Sequence, residues 1–314
     1  MSPLNWFKKE SPLQGLTGLW GGVGSNLVAG GAAPIGQWQK ITSGNTAWTV
    51  PAGVKSISVI CVGGGGGGGG GGPGGGAGGG GALAYRNDIP VSGGQTYQVY
   101  VGSGGGANGN GGASYIDGIS QLTGYGGQGG TSGVGQPGGT GGTASGQGGG
   151  NGGDGGNSNN GGGAGGGAAA GAYGSKGAHG GECGLNGTNG QCTGTDGANG
   201  GGASGSSGWG NNAAEGGGTL IYGKGTTVQG QEARAGSTAG QHGEVGSLEV
   251  QSTTVGGQFS IQTQGTFKVS KAPGSGGMGN VWGSGYAGGT GAVRIIWPGD
   301  ERQFPTTRTI DETE

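Results

Sequence analysis

"CVGGGGGGGGGGPGGGAGGGGALAY", Cys61 to Tyr85, decides how this chain has to be read. Ten glycines follow one another from Gly63 to Gly72. Glycine gives up more backbone freedom on folding than any other residue and brings no side chain to bury. Taken alone, such a run reads as a flexible linker. Its flanks argue otherwise. "VKSISVICV" (54–62) enters it as a buried strand, and "GGALAYRNDIPV" (80–91) leaves it as another. A linker has no need of strands at both ends, so the missing side chain is itself the candidate packing device.

Composition sharpens the choice. Of 314 residues 101 are glycine, 29% are apolar and only 9% are charged, with a net charge of −2. That apolar fraction is too small for a side-chain core along the whole length. The low charge argues against a self-repelling disordered chain. It also offers no electrostatic footprint for nucleic acid or an anionic membrane. Three cysteines, Cys61, Cys183 and Cys192, make no disulfide framework. Cys61 reads as a buried thiol. Cys183 and Cys192 could pair across a turn, but the odd count fits thiols in a reducing cytoplasm.

The N-terminal "MSPLNWFKKESPL" lacks the basic-then-apolar pattern of a secretion signal. Ser11 to Gln39 is uncharged and carries one GxxxG, Gly18 with Gly22, yet Gly, Ser, Thr, Asn and Gln interrupt it throughout. It is too polar to span a membrane.

The chain divides into five regions. Residues 1–36 form an apolar leader that includes Trp6, Phe7, Leu16, Leu19 and Trp20, expected to anchor against another protein. Residues 37–125 hold strands around "NTAWTVPAG", "VKSISVICV", "GGALAYRNDIPV", "QTYQVYVG" and "ASYIDGI". In "TYQVYV", Tyr97, Val99 and Val101 alternate with Gln98 and Tyr100, the period of a half-buried strand. Residues 126–218 are a glycine field, 219–271 a β-rich insert, and 272–314 a closing strand with a charged tail. Val293, Ile295 and Trp297 are placed on one face of that closing strand, Arg294 and Ile296 on the other.

Within the field glycine recurs every third residue: at 174, 177 and 180, then at 181, 184, 187 and 190, then at 194, 197 and 200. "GGTGGT" (138–143) and "GGNGGDGGN" (149–157) share the period. Three residues per turn is the period of the extended polyproline-II helix. Glycine at each turn leaves one bare edge, and pure glycine leaves the helix bare all round. Bare edges let backbones approach until N–H and C=O groups pair between helices. Collagen uses that geometry, but with an unbroken register and much proline. Here there are 10 prolines and the register slips near Gly181 and Thr193, where short helices could reverse. The expected fold is therefore β-rich with little helix, strands framing a stacked bundle of antiparallel polyglycine-II helices. The ten-glycine run is an interior member of that bundle. Gly105 is expected at its margin, tolerant of a side chain.

Several chemical motifs fail on inspection. "GTLIYGKG" (218–225) nearly matches a phosphate-binding loop, but Gly225 stands where a magnesium-binding hydroxyl is required. "GGNGGD" (149–154) opens a calcium-binding nonapeptide, but Gly156 occupies its apolar position and only one copy exists. His179 lies near Glu182 and Cys183, an arrangement better read as polar loop residues than as a nucleophile and base. No catalytic residue, metal ligand or cofactor site is assigned. Five aromatic residues, Tyr125, Tyr173, Trp209, Trp282 and Tyr286, sit between glycines without apolar neighbours. They are expected to project from loop tips, where Trp and Tyr beside small polar residues make contacts for sugars or protein surfaces.

"WTVPAGVKSISVICVGGGGGG" and "GGGALAYRNDIPVSGGQTYQVYVGSGG" resemble the glycine-rich domain of tailed-bacteriophage structural and tail-fibre proteins. The matching residues are Trp48, Val50 to Val54, the glycine burst, Ile89-Pro90-Val91, and Val99 to Gly102. The ending "GGTGAVRIIWPGDERQFPTT" is similar to the close of glycine-rich virion proteins of marine and cyanobacterial phages. By composition the field resembles the polyglycine sandwich of T-even-type tip adhesins. The resemblance implies a non-enzymatic virion protein, a tail-fibre or tail-tip adhesin, assembled in the host cytoplasm. Its implied partners are other virion proteins, sister subunits, and a host surface glycan or outer-membrane protein. The alternative is a capsid or tail decoration protein that recognises no receptor.

Overall fold

The computed structural model describes residues 38–41, 44–70, 74–158, 163–177, 208–209, 216–217, 219, 273–277, 279 and 283–305. Its strands are β1 (Trp38–Ile41), β2 (Asn45–Thr49), β3 (Ser56–Val62), β4 (Leu83–Pro90), β5 (Thr96–Tyr100), β6 (Ser114–Ile116), β7 (Thr123–Gly124), β8 (Ala144–Ser145), β9 (Gly148–Gly150), β10 (Gly163–Ala164), β11 (Gly208–Trp209) and β12 (Ala292–Ile296). The fold is β-rich, and the described residues include no helix. None therefore provides a helix long and apolar enough to cross a membrane. Two five-stranded sheets run β1-β12-β3-β4-β9 and β2-β5-β6-β7-β8, and β10 pairs with β11. All pairings are antiparallel.

The two five-stranded sheets face one another across an apolar core. β3 is buried on both sides along its whole length, with apolar residues on each face and the buried hydroxyls of Ser56 and Ser58 hydrogen-bonded at its start. Ile57, Val59 and Cys61 point between the sheets with Val293, Ile295 and Trp297 of the closing strand. Trp48, Val99, Ile116 and Leu122 answer from the opposite sheet. The Trp48 ring centre lies 6.0 Å from that of Trp297 and 6.4 Å from that of Tyr97. On the other side of β3, Ile60 and Val62 join Leu83, Ile296, Tyr173 and Phe304 in a second cluster. Gly53, at φ 81°, makes the turn after Pro51 that carries the chain from β2 in one sheet to β3 in the other.

Beyond the sheets the chain does not stop hydrogen bonding. The β3–β4 pair continues into glycine, with the N–H groups of Gly63, Gly66 and Gly69 donating to the carbonyls of Ala82, Gly79 and Gly76 at 2.9, 2.8 and 2.7 Å. The two intervening phases turn elsewhere. Gly64 and Gly67 donate to Gly112 and Gly109, and Gly65 and Gly68 donate to Gly289 and Tyr286. The carbonyls of the same run receive N–H groups from Gly127 and Gly130, from Gly105 and Asn108, and from Gly277. Segment 63–69 thus bonds to six neighbours, three through its donors and three through its acceptors. Segment 76–82 is surrounded in the same way by 63–69, 125–131, 139–142, 153–156, 165–171 and 274–277.

The close approach explains the glycines. A Cβ built on Gly64, Gly65, Gly66 or Gly67 would overlap the main-chain oxygen of Ser103, Ser275, Gln128 or Gly106 respectively. Alanine also occurs within this array, at Ala77 and Ala82, both fully buried. Bonds from 63–82 reach residues on both sides of the boundaries drawn at 125 and 271 from composition. Gly105 is buried, not marginal, and a Cβ there would overlap the oxygen of Gly109. The neighbouring Gly106 is exposed, and a Cβ on it would meet nothing within 4 Å.

Side chains complete the array at its surface. The N–H groups of Ala144, Gly141 and Gly138 donate to Oδ1 of Asn151, Asp154 and Asn157, each at 2.9 Å. The period-three "NGGDGGN" therefore supplies a column of side-chain acceptors, and Asp154 also pairs with Lys176. At the seam between sheet and glycine, buried Ser114 donates its hydroxyl to the Val62 carbonyl at 2.6 Å and accepts the Gly102 N–H at 2.9 Å.

Candidate interaction surface

Two of the five aromatic residues singled out from sequence are exposed large side chains: Tyr125 at 48% and Tyr286 at 41%. Neither sits at a loop tip. Tyr125 directly follows β7 where the strand passes into glycine, and its carbonyl accepts the Ala82 N–H. The Tyr286 carbonyl accepts the Gly68 N–H at the far end of the inner run. Around 63–69 the neighbours follow in the order 76–82, 125–130, 109–112, 102–106, 286–289 and 274–277, each bonded to the next. The segments carrying Tyr125 and Tyr286 are opposite one another in that ring, so the structure does not bring these tyrosines together.

Tyr173 is a correction. It is 3% exposed, with its ring centre 5.9 Å from Tyr85 and 6.2 Å from Phe304. Its apolar neighbours come from distant parts of the chain, which the flanking glycines could not reveal. Trp209 lies in β11, paired through its backbone with Gly163. Trp282 falls outside the described residues, as do Trp6, Phe7, Leu16, Leu19 and Trp20, the strands expected within 220–271, His179, Cys183 and Cys192.

The sequence reading missed the surroundings of Tyr125. Asn45, Tyr100, Tyr115, Thr123 and Ser145 are successive cross-strand partners, so they form one row across the second sheet. The row faces away from the core, because Val99, Ile116 and Leu122 occupy the alternate, inward positions. Tyr100 and Tyr115 stack with centres 4.5 Å apart and planes 11° from parallel. Tyr125 stands two residues beyond Thr123 on the same side. Gln128 and Thr131 follow it at three-residue steps and are exposed. Thr143 and Thr140, exposed on the adjoining segment, accept the N–H groups of Tyr125 and Gln128 through their carbonyls. Period-two alternation in "TYQVYV" and period-three spacing in "YGGQGGT" were the signals available, but only the register joins them into one face.

Cys61, the free thiol among the described cysteines, is fully buried, and burial pushes its pKa far above the ordinary value. Its carbon neighbours leave it the role of a small apolar side chain. Among the described residues no three His, Cys, Asp or Glu side chains gather as a metal site. No protein-family model matches the chain, and no curated protein matches it.

Proposed function

We propose that this chain is a non-enzymatic bacteriophage virion protein, a tail-fibre or tail-tip adhesin that contacts the host surface. Its glycine segments are packed polyglycine-II helices. The observation that carries the packing is the three-residue rotation of hydrogen-bond partners around 63–69 and 76–82. A helix with three residues per turn presents its donors in three directions 120° apart, which is what six neighbours require. Each paired amide contributes about 0.5–1.5 kcal/mol net. Glycine's extra entropy cost is of similar size, roughly 0.5–1 kcal/mol relative to alanine. A single glycine helix therefore gains almost nothing, and only a closed array anchored on a sheet core holds together.

The virion reading rests on the resemblance, and the residues that carry it have structural work. Trp48, Val50, Val54, Ile89, Val91 and Val99 of the matching motif all lie in the core between the sheets. Residues 63–70 extend from that core as a hydrogen-bonded body about 25 Å long, at about 3.1 Å per residue. Such a body suits a protein that holds a contact surface away from a particle. The leader, with Trp6, Phe7, Leu16, Leu19 and Trp20, is assigned the docking role toward other virion proteins or a sister subunit. The contact residues are Tyr125 and Tyr286, with Trp209 and Trp282 as further candidates.

The test is adsorption. Particles carrying Tyr125→Ala with Tyr286→Ala should assemble normally and adsorb more weakly to host cells. Full adsorption of the double variant and of Trp209→Ala with Trp282→Ala, together with density for the protein spread over the capsid, would replace the adhesin with a decoration protein.

A further inference from the structure

The geometry points to a neutral polysaccharide as the ligand of the face that carries Tyr100, Tyr115, Tyr125, Gln128, Thr140 and Thr143. This deepens the adhesin reading and rests on it.

Three observations select this face over the rest of the surface. The first is availability. The Asn151–Asp154–Asn157 column spends its oxygens on main-chain N–H groups. The polar groups at the far turns satisfy one another, Asn108 with Ser132 and Ser158 with Gln136. The hydroxyl and amide groups of Tyr100, Tyr115, Tyr125, Gln128, Thr140 and Thr143, by contrast, make no side-chain hydrogen bond among the described residues. The second is shape. A stacked tyrosine pair continues into an exposed third tyrosine, and beyond it threonines and a glutamine repeat every third residue on a backbone locked by its neighbours. Aromatic rings offer a flat apolar face to the C–H side of a sugar ring, and the phenol, hydroxyl and amide groups reach its hydroxyls. The rigid backbone spares the ordering cost that a loop would incur on binding.

The third is charge. The row from Asn45 to Ser145 and the columns beside it contain no Lys, Arg, Asp or Glu. Two acids border it: Asp154 in the adjoining column is paired with Lys176, and exposed Asp117, two residues beyond Tyr115 in the next row, adds negative charge that disfavours an anion. An anionic glycan or nucleic acid would find no counter-charge there. A protein partner would find no aliphatic anchor, since Tyr125 and Tyr286 are the exposed large apolar side chains among the described residues.

The experiment separates host-envelope polysaccharide into neutral and anionic fractions by ion exchange. The purified full chain is then run through gels containing each. Retardation is expected in the neutral gel alone. Tyr125→Ala and Tyr115→Ala should each weaken it by about tenfold, a loss of one stacked ring. Glu301→Ala, an exposed side chain beyond the closing strand and off this face, should leave it unchanged, and circular dichroism of each variant controls for folding. Retardation only in the anionic gel, or retardation indifferent to Tyr115 and Tyr125, overturns the assignment. So does the absence of retardation in both. In that last case the adsorption of Tyr125→Ala particles tells the two failures apart. Reduced adsorption leaves an adhesin with a protein receptor, and unchanged adsorption removes both readings.

Discussion

The carbonyl oxygen of Gly106 occupies the place where a Cβ on Gly67 would stand. Gly67 also donates its N–H to Gly109 at 2.9 Å, so both turns of that hairpin arm press on one glycine. Gly67→Val must therefore push the arm away and break the bond. Overpacking costs about 1–3 kcal/mol, and an orphaned buried amide a further 1–3 kcal/mol. The expected loss is about 3 kcal/mol or more. For a domain of this size it should lower the melting temperature by roughly 6–12 °C. Gly106→Val is the control: the site is open and exposed, so its melting temperature should stay within a degree or two of the parent. Equal melting of all three proteins would mean that the glycines are spacers.

Hydrogen exchange should report the same arrangement residue by residue. In 64–69 and 76–82 every phase of the three-residue turn has an acceptor, so these amides should exchange only by large-scale opening. On the outer segment the phases separate. Gly139 and Gly142 donate inward to Ala77 and Gly80, whereas the Thr140 and Thr143 N–H groups have no acceptor among the described residues. Slow exchange at 139 and 142 beside fast exchange at 140 and 143 is expected. Uniformly fast exchange across 138–143 would contradict the packing.

Cys61 supplies a pH prediction. Burial raises its pKa above the ordinary value of 9.0, so the folded chain keeps the proton at a pH where the unfolded chain releases it. The unfolded state then binds fewer protons, and stability falls as pH rises above about 9. Below that pH the contribution is constant. Urea midpoints at pH 7.5, 9 and 10 should decline mainly over the upper interval, and Cys61→Ser, lacking the titration, should flatten this component. In the native protein the Cys61 peptide should resist alkylation at pH 8, and it should be labelled readily in denaturant.

The leader gives a prediction on assembly. Five large apolar side chains, Trp6, Phe7, Leu16, Leu19 and Trp20, lie within the first 20 residues. Left uncovered they would make an aggregation-prone patch. A chain beginning at Gly36 keeps β1 onward, so it should melt like the full chain yet fail to enter particles. Normal incorporation of that truncation would remove the anchor role.

Much of the sheet framework was legible because its signals are local. β3 announces itself through Ile57, Val59, Ile60 and Val62 in a short span, and the two faces of β12 follow from alternation, with Val293, Ile295 and Trp297 on one side and Ile296 on the other. The burial of Gly63 to Gly70 was also legible, since only a position contacted on all sides excludes every Cβ. What was not legible depends on partners far along the chain. Tyr173 looks isolated among glycines, yet Tyr85 and Phe304 enclose it. "NGGDGGN" resembles a fragment of a calcium motif, yet its oxygens are taken by the column at 138–144. Gly105 and Gly106 are adjacent glycines of one run and opposite in environment: a Cβ on Gly105 would overlap the Gly109 oxygen, whereas one on Gly106 would meet nothing. The candidate face needed the register as well: Tyr100, Tyr115 and Tyr125 belong to three different strands or segments.

The seam between the two kinds of hydrogen bonding rests on Ser114. A β-ladder repeats every two residues and the glycine array every three, so the two cannot share one register. At the junction the Gly102 N–H and the Val62 carbonyl both turn to the Ser114 hydroxyl, which accepts from one at 2.9 Å and donates to the other at 2.6 Å. Ser114 is fully buried, so no water replaces it. Ser114→Ala leaves a buried donor and a buried acceptor unpaired, at an expected cost of about 1–3 kcal/mol. Ser114→Val adds bulk beside Gly291, whose own Cβ position lies 2.6 Å from the serine oxygen, and should cost more. Ser103→Ala, an exposed side chain on the neighbouring segment, should be nearly neutral. Chemical denaturation of the three variants measures the difference. If Ser114→Ala were as stable as Ser103→Ala, the hydroxyl would not be what joins the period-two ladder to the period-three array.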